Sequence, residues 1–349
     1  MASIGVIINP TSRKNRRRPP GRAERLARLL GRFGEVYETR GVDELRTAVG
    51  RLLERGVDYL VSDGGDGSMH CALNEARDLL GGAESELPCF VPTNGGTVDA
   101  VARKVGIQGG AEKILLELRS LVASEREPPI VELDSLLVSG ERRMSSGEVV
   151  PFSKLGFALA AGGIGQRFFD KYYAEREPGA GAILSVVAQG VGSWIGDRLG
   201  LPLPASWASY GRELFRPTRA RVSIDGQELP ESEHGAIHAG AFDVSLSGVF
   251  HVFPLAREPG KIHFQAGGIV PTEMIRALPD LYRGRAIKSR RLVERAGTRM
   301  LIEALGDELL RPILDGESYT DLTRLSVQPG LRVRVPQVTL RAGALRLDA

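Results

Sequence analysis

The chain has 349 residues, 42% hydrophobic and 26% charged, a composition that excludes a disordered polymer and leaves room for two domains with sizeable cores. A formal net charge of +3 gives no global attraction to polyanions, so no nucleic-acid partner is expected and basic residues matter only where they cluster. Cys71 and Cys89 are the two cysteines and stand in no metal or redox spacing, which argues against a disulfide framework or a zinc site and fits a reducing cytoplasm.

The first strand is read at Ile4–Ile8, too early for a secretory leader to precede it. Its loop is Asn9-Pro10-Thr11-Ser12, followed by the basic run Arg13, Lys14, Arg16, Arg17 and Arg18. Leu26, Leu29, Leu30 and Phe33 then recur on one helical face, Val36-Tyr37 reads as a second strand, and Val42, Leu45, Val49, Leu52 and Leu53 mark a second helix. The strand Tyr59–Ser62 runs into Asp63-Gly64-Gly65-Asp66-Gly67-Ser68, and a helix is expected from Ser68 to about Leu80. Cys89-Phe90-Val91 forms a further strand and enters Pro92-Thr93-Asn94-Gly95-Gly96-Thr97. Alternating strands and helices of this kind imply a parallel sheet covered by helices, with ligands at the carboxyl ends of the strands.

The glycine stretch carries the most chemistry. Glycines permit positive φ and close approach to a ligand, and amides at the start of the next helix point at anionic oxygens. Asp66 would be repelled by phosphate unless it holds Mg²⁺ or takes a proton from an attacking hydroxyl. A tight strand-to-helix turn with a capping Asp explains the same residues taken alone.

Past a helix ending near Ser124, Glu127-Pro128-Pro129 reads as a linker, dividing the chain into residues 1–128 and 129–349, with the last strand free to return to the first domain. Beyond it Val131–Val138, Arg219–Ile224, Gly235–Ala241, Lys261–Phe264 and Leu331–Val335 are β-rich, with helical interruptions at Gly181–Ile195 and Pro271–Leu281. The fold class expected is α/β, a three-layer nucleotide domain with a parallel sheet followed by a mainly β sandwich. His234 and His238 stand at i, i+4, but Gly235 between them and the lack of a metalloprotease Glu argue against a metal site. No span approaches about 20 unbroken apolar residues, the nearest being Ala180–Ile195.

Taken together these loops resemble the diacylglycerol kinase catalytic-domain family, which includes sphingosine kinases and bacterial lipid kinases. Asn9-Pro10-Thr11-Ser12 is similar to its opening loop, Gly64-Gly65-Asp66-Gly67-Ser68 to its central glycine loop with Ser68 in place of Thr, and Gly96-Thr97 with Ala102-Arg103 to its third. Asp134, Phe157–Gly165, Val252-Phe253-Pro254-Leu255-Ala256 before Pro259-Gly260, and Asp315-Gly316-Glu317 follow in the family's order.

The resemblance implies ATP-dependent, Mg²⁺-dependent transfer of a γ-phosphoryl group to the hydroxyl of a membrane lipid of the diacylglycerol, sphingoid base or ceramide type. ATP would be held by Asn9, Pro10, Thr11, Ser12, Gly64, Gly65, Gly67, Ser68, Asn94, Gly95, Gly96 and Thr97. Asp66, Asp315 and Glu317 would be catalytic, which of Asp66 and Asp315 is the base being open, and Asp66 and Asp134 would serve the metal. The enzyme would be cytoplasmic and peripheral at the inner face of the membrane, with no protein partner indicated. Its basic clusters, the run after Ser12 and the segment Arg283–Arg299, would face anionic headgroups, where each Lys or Arg contributes on the order of 1 kcal/mol. The first cluster could instead hold ATP phosphates.

Departures from the family pattern are His70 and Cys71 where Asn-Glu is usual, and Asp99-Ala100 where Asn-Asp is usual. An ionised Asp accepts hydrogen bonds but does not donate. Asn94 is expected to replace one lost group, and Asn74 with Glu75 the other pair. Two further readings stand beside this one: a soluble-substrate kinase of the phosphofructokinase or NAD kinase type, whose loops Gly64–Ser68 and Gly96–Asp99 resemble, and a non-catalytic lipid or nucleotide binder, which the departures at His70, Cys71, Asp99 and Ala100 suggest.

Overall fold

The computed structural model describes residues 3–81, 86–175, 179–246, 250–256 and 258–339. The chain forms two compact units, one made of residues 1–133 with 331–349 and the other of residues 134–330.

In the first unit, β1 (Ile4–Ile8), α1 (Arg22–Leu30), β2 (Gly34–Glu38), α2 (Val42–Glu54), β3 (Tyr59–Asp63), α3 (Asp66–Leu79), β4 (Cys89–Pro92), α4 (Ala100–Lys104), α5 (Ala111–Ala123) and β5 (Ile130–Leu133) follow in order. β1 to β4 form a parallel sheet in the order β2-β1-β3-β4. β1 and β3 are buried along their whole length, as continuous apolar strands covered on both faces must be. The covering helices present Leu26 and Leu30 of α1, Val49 and Leu52 of α2, Leu73 and Ala76 of α3, and Ile114, Leu115 and Leu118 of α5, all fully buried. Phe33, expected on the first helix, falls in a short 3₁₀ turn over Gly31–Phe33, because Gly31 at φ 57 ends α1.

The second unit is mainly β. It contains β6 (Leu136–Arg143), β7 (Val149–Gly156), β8 (Ala158–Gly163), α6 (Ile164–Ala174), α7 (Ala180–Arg198), α8 (Ala205–Leu214), β9 (Thr218–Ile224), β10 (Gln227–Glu228), β11 (Glu233–His234), β12 (Ala236–Gly240), β13 (Val244–Leu246) and β14 (Phe250–Val252). After these come β15 (Ile262–Gly267), α9 (Pro271–Tyr282), β16 (Leu292–Gly297), β17 (Met300–Ala304), β18 (Ile313–Leu314), β19 (Glu317–Ser318) and β20 (Leu322–Pro329). Two antiparallel sheets dominate, one in the order β10-β9-β17-β20-β6-β7 with β11 paired to β9, the other in the order β16-β15-β12-β8-β18-β19.

The β-rich run Val131–Val138 spans two strands. Its first half is β5, which pairs antiparallel with β21 (Val333–Pro336) inside the first unit, and its second half opens β6 in the other. Asp134 and Ser135 stand between them, and the Asp134 carboxylate accepts a hydrogen bond from Gly260 N at 2.7 Å.

Candidate functional site

Sheet order 2-1-3-4 reverses direction between β1 and β3, so the loops after those strands open away from one another at the topological switch point, where doubly wound folds place their ligands. Both loops carry the residues singled out above. Asn9 N donates to Asp63 O at 3.1 Å, and Asn9 Nδ2 donates to Ser68 Oγ at 2.9 Å. Asn9 Oδ1 accepts from Thr11 N and Thr11 Oγ1, which closes the turn over Pro10. Asn15 bridges the loops from below, its Nδ2 lying 3.0 Å from Asn9 O and 2.9 Å from Asp63 O. Ser12 Oγ is buried with no hydrogen-bond partner among the described residues.

The third loop packs directly on the second. Gly95 N donates to Gly64 O at 3.0 Å, and a Cβ at Gly65 would sit 2.8 Å from Gly96 Cα. Gly64, Gly65, Gly67, Gly95 and Gly96 are not among the glycines at positive φ. Of the two expected uses, positive φ and close approach, the first is not made; Gly65, Gly95 and Gly96 stand where two backbones touch and a Cβ would collide, and a Cβ at Gly64 would strike the Ser68 side chain. Gly65 precedes α3 with φ −97 and supplies no side-chain cap, so the first amides of a 14-residue helix are presented at the switch point.

Asp66 opens that helix. One carboxylate oxygen accepts from Ala100 N at 2.7 Å and so anchors the start of α4 to the glycine loop. Asp99, buried at 4% exposure, accepts from Gly96 N at 2.8 Å and forms an ion pair with Lys14 at 3.1 Å. Lys14 also donates to Asn94 O, and Arg13 lies 3.5 Å from Thr97 Oγ1. The basic run is therefore partly engaged with the third loop.

Beneath the loops, Asp63 holds Arg22 at 2.7 Å and accepts from Thr93 Oγ1 at 3.2 Å, while Arg22 reaches Glu112 at 2.6 Å. Burial works to lower the Arg22 pKa, but Asp63 and Glu112 outweigh it and hold the guanidinium above its ordinary value. For Glu112 burial works upward, but a hydrogen bond from its own backbone amide, with the charge and side-chain hydrogen bond of Arg22, brings it below the usual carboxylate range. This clamp ties α1, α5, β3 and the β4 loop together. Only the position of Asp63 before the glycines hinted at it in sequence.

The groups expected to replace missing family residues are otherwise employed. Asn94 Nδ2 donates to Gly109 O at 2.9 Å and Ile107 O at 3.3 Å, Asn74 Nδ2 donates to His70 O at 2.8 Å, and Glu75 pairs with Arg46 at 3.2 Å.

In the second unit, Asp315 and Gly316 form the two-residue turn between β18 and β19, with φ of 51 and 93, as a type I′ hairpin requires. The turn also has a second use. Asp315 Oδ1 accepts from Phe157 N at 3.0 Å and from Ala158 N at 2.9 Å, and Asp315 N donates to Ala158 O. Glu317 is half-buried at the start of β19.

The switch-point loops suit a polyphosphate: uncapped helix amides, backbone packing that a Cβ would obstruct, and a buried hydroxyl without a partner. Among the described residues no three His, Cys, Asp or Glu side chains converge on a metal position. Mg²⁺ is commonly held by one or two carboxylates together with phosphate oxygens and water, and Asp66, at the mouth of the glycine loop, fits that smaller demand.

Fold and loops together define a doubly wound α/β domain with a glycine loop at its switch point, joined in one chain to a mainly β unit. Residues 3–128 match the family model of the diacylglycerol kinase catalytic domain. Among solved structures, a diacylglycerol kinase from Bacillus anthracis str. Sterne is 13% identical with a TM-score of 0.53, each chain being covered over 93% of its length. Two structures from the same organism, provisionally described as diacylglycerol kinases, give 14% identity with a TM-score of 0.55 and 13% with 0.57, at 94% coverage of both chains. At such identities the likeness is one of fold. No curated protein matches the sequence.

Proposed function

We propose that this protein transfers the γ-phosphoryl group of ATP to the hydroxyl of a membrane lipid. The observation that carries the reading is the meeting of Asn9, the Gly64–Ser68 loop and the uncapped start of α3 at the switch point, with Asp66 at its mouth, in a segment that matches a lipid-kinase catalytic domain.

On this reading Asn9, Thr11, Ser12, the amides following Gly65, and Gly95 to Thr97 hold the phosphates. A divalent cation, when bound, neutralises charge on the transferring phosphate oxygens. Asp66 would hold that cation, and Asp315, clasped by two backbone amides, would be fixed in orientation to accept the proton of the attacking hydroxyl. Glu317, two residues on in the same hairpin, would support Asp315, and Asp134 would serve the metal or its waters. Orientation and charge stabilisation are most of what phosphoryl transfer asks of a protein. Among the described residues no helix is long and apolar enough to cross a membrane, so the lipid would be met at a bilayer surface, with the exposed Arg283, Arg285, Lys288, Arg290 and Arg291 toward anionic headgroups.

The test is transfer of label from γ-³²P-ATP with Mg²⁺ to diacylglycerol, sphingosine, ceramide and phosphatidylglycerol in mixed micelles, with NAD and fructose 6-phosphate as soluble controls. Label in a lipid supports the reading. Label confined to a soluble control contradicts it.

A further inference from the structure

We propose that the Lys14–Asp99 pair is a latch on the switch-point loops: Asp99 withholds from a bound polyphosphate a cation that would otherwise ligate it, and so keeps the affinity for the nucleotide product low. The latch rests on the polyphosphate reading of these loops and adds to it a device that sets how tightly the anion is held. A carboxylate is out of place beside a phosphate site. Asp99 is 4% exposed, and its Oδ1 accepts from Gly96 N at 2.8 Å. Gly96 lies against Gly65, whose Cβ position is 2.8 Å from Gly96 Cα, and Gly65 is the residue before α3, where the amides that face the anion begin. An ionised carboxylate buried there is disfavoured by desolvation, and by repulsion once phosphate enters, unless a cation is held with it. Lys14 is that cation. Its Nζ meets Asp99 Oδ2 at 3.1 Å and also donates to Asn94 O, while Lys14 N donates to Gly95 O at 3.3 Å. Main chain and side chain together fasten the first loop to the third.

The unequal burial of the two partners decides which way the cation turns. The Lys14 side chain is 46% exposed, and an ammonium on a flexible four-carbon stem readily changes partners. It stands one carboxylate away from the glycine loop. Asp99 has no such freedom: with Lys14 gone it would keep the Gly96 amide and remain out of water. Stranding a buried carboxylate costs more than a half-exposed ammonium gains from one phosphate contact, so in the wild-type chain Lys14 stays on Asp99 while the anion is bound by amides and hydroxyls. Asparagine in place of Asp99 removes that cost. It still offers an oxygen to Gly96 N and tolerates φ 50, and it leaves the ammonium to turn to the phosphate.

Titration calorimetry of the full-length chain with inorganic tripolyphosphate and, separately, with ADP and Mg²⁺ tests the latch in three forms: wild type, Asp99→Asn, and Asp99→Asn combined with Lys14→Met. Asp99→Asn should bind both probes at least about tenfold more tightly than wild type, and the gain should shrink as salt is raised, as the contact of a half-exposed ammonium does. Adding Lys14→Met should remove most of the gain. Lys14→Gln is the second replacement, for use should the methionine variant not fold. Equal tightening with and without Lys14 would overturn the latch and leave Asp99 a source of repulsion only. Wild-type binding that Asp99→Asn leaves unchanged or weakens would also overturn it, with the polyphosphate reading intact. Failure of all three forms to bind either probe would count against the polyphosphate reading itself, and the latch would fall with it.

Discussion

Lys14 and Asp99 form an ion pair at 3.1 Å across two loops that lie 85 residues apart in sequence. Lys14 is 46% exposed and Asp99 4%, so the pair is asymmetric: the carboxylate depends on the cation more than the cation depends on it. Asp99, in the left-handed region at φ 50, also accepts from Gly96 N. Asp99→Asn keeps that acceptor and tolerates the backbone, so its cost should be below about 1 kcal/mol. Lys14→Met leaves a buried charge without its partner and should cost about 1–3 kcal/mol. Urea denaturation of the two single variants and the double variant checks this. Most of the Lys14→Met loss should disappear when Asp99→Asn is added.

Gly65 and Gly96 should not accept a side chain. An alanine at either position places its Cβ within 2.8 Å of the other glycine's Cα, and the backbone must part to admit it. Gly65→Ala and Gly96→Ala should each lower stability by about 1–3 kcal/mol and weaken ATP binding, read by thermal denaturation and by titration calorimetry. Gly81→Ala serves as the control, since nothing lies within 4 Å of its Cβ position; its φ of 59 limits that variant to a local strain cost.

The Asp315 carboxylate organises β7 and β8 as well as standing in a turn. Asp315→Asn keeps one oxygen acceptor for Phe157 N and Ala158 N and suits φ 51, whereas Asp315→Ala leaves both amides without it. The Ala variant should lose about 1–3 kcal/mol more than the Asn variant. If the proton-accepting role holds, both variants should lose phosphoryl transfer at least about a hundredfold. A stability difference without loss of transfer would make Asp315 a structural residue only.

Stability should fall as the solution is acidified below neutrality, and His238 should account for part of the fall. Burial lowers its pKa, with Gln265 partly opposing, and its Nε2 accepts from Gly165 N at 3.2 Å, a bond that protonation would break. Because the folded pKa lies below the ordinary value, the unfolded chain binds the extra proton first. The contribution is therefore full above about pH 6.5 and is lost as pH falls through the lowered folded value. His234, lowered for the same cause of burial, acts in the same direction. The melting temperature measured from pH 7.5 to 5 should drop for the wild type, and His238→Gln should flatten the profile without abolishing its slope.

Local pattern carried most of the first unit. β1, β3 and β4 are apolar runs ending in glycine or proline loops, and α2 and α3 show one buried face each, so their order and the parallel sheet were legible. Long-range pairings were not: nothing in the spacing joins Asp63 to Arg22 and Glu112, or Lys14 to Asp99. The glycines of the loops were legible as required; of the two reasons the pattern offers, positive φ and close approach, only the first is unused, and the approach the structure shows is of one backbone to another. In the second unit α7 and α9 were visible, whereas α6 and α8 were not read as helices. α6 follows a glycine-rich strand without a break and clusters its aromatics, and α8 is short with its faces divided between small and aromatic residues. Val131–Val138 hid a boundary because both halves are strands and only Asp134-Ser135 separates them.

The most direct test of the central claim compares wild type with Asp66→Asn for ATP binding, melting temperature and γ-phosphate transfer to a micellar lipid panel. Asn can still accept from Ala100 N, so fold and nucleotide binding should persist while transfer falls at least about a hundredfold. Lipid phosphorylation at the wild-type rate in Asp66→Asn, or no transfer to any lipid by a wild-type protein that binds ATP, would contradict the account.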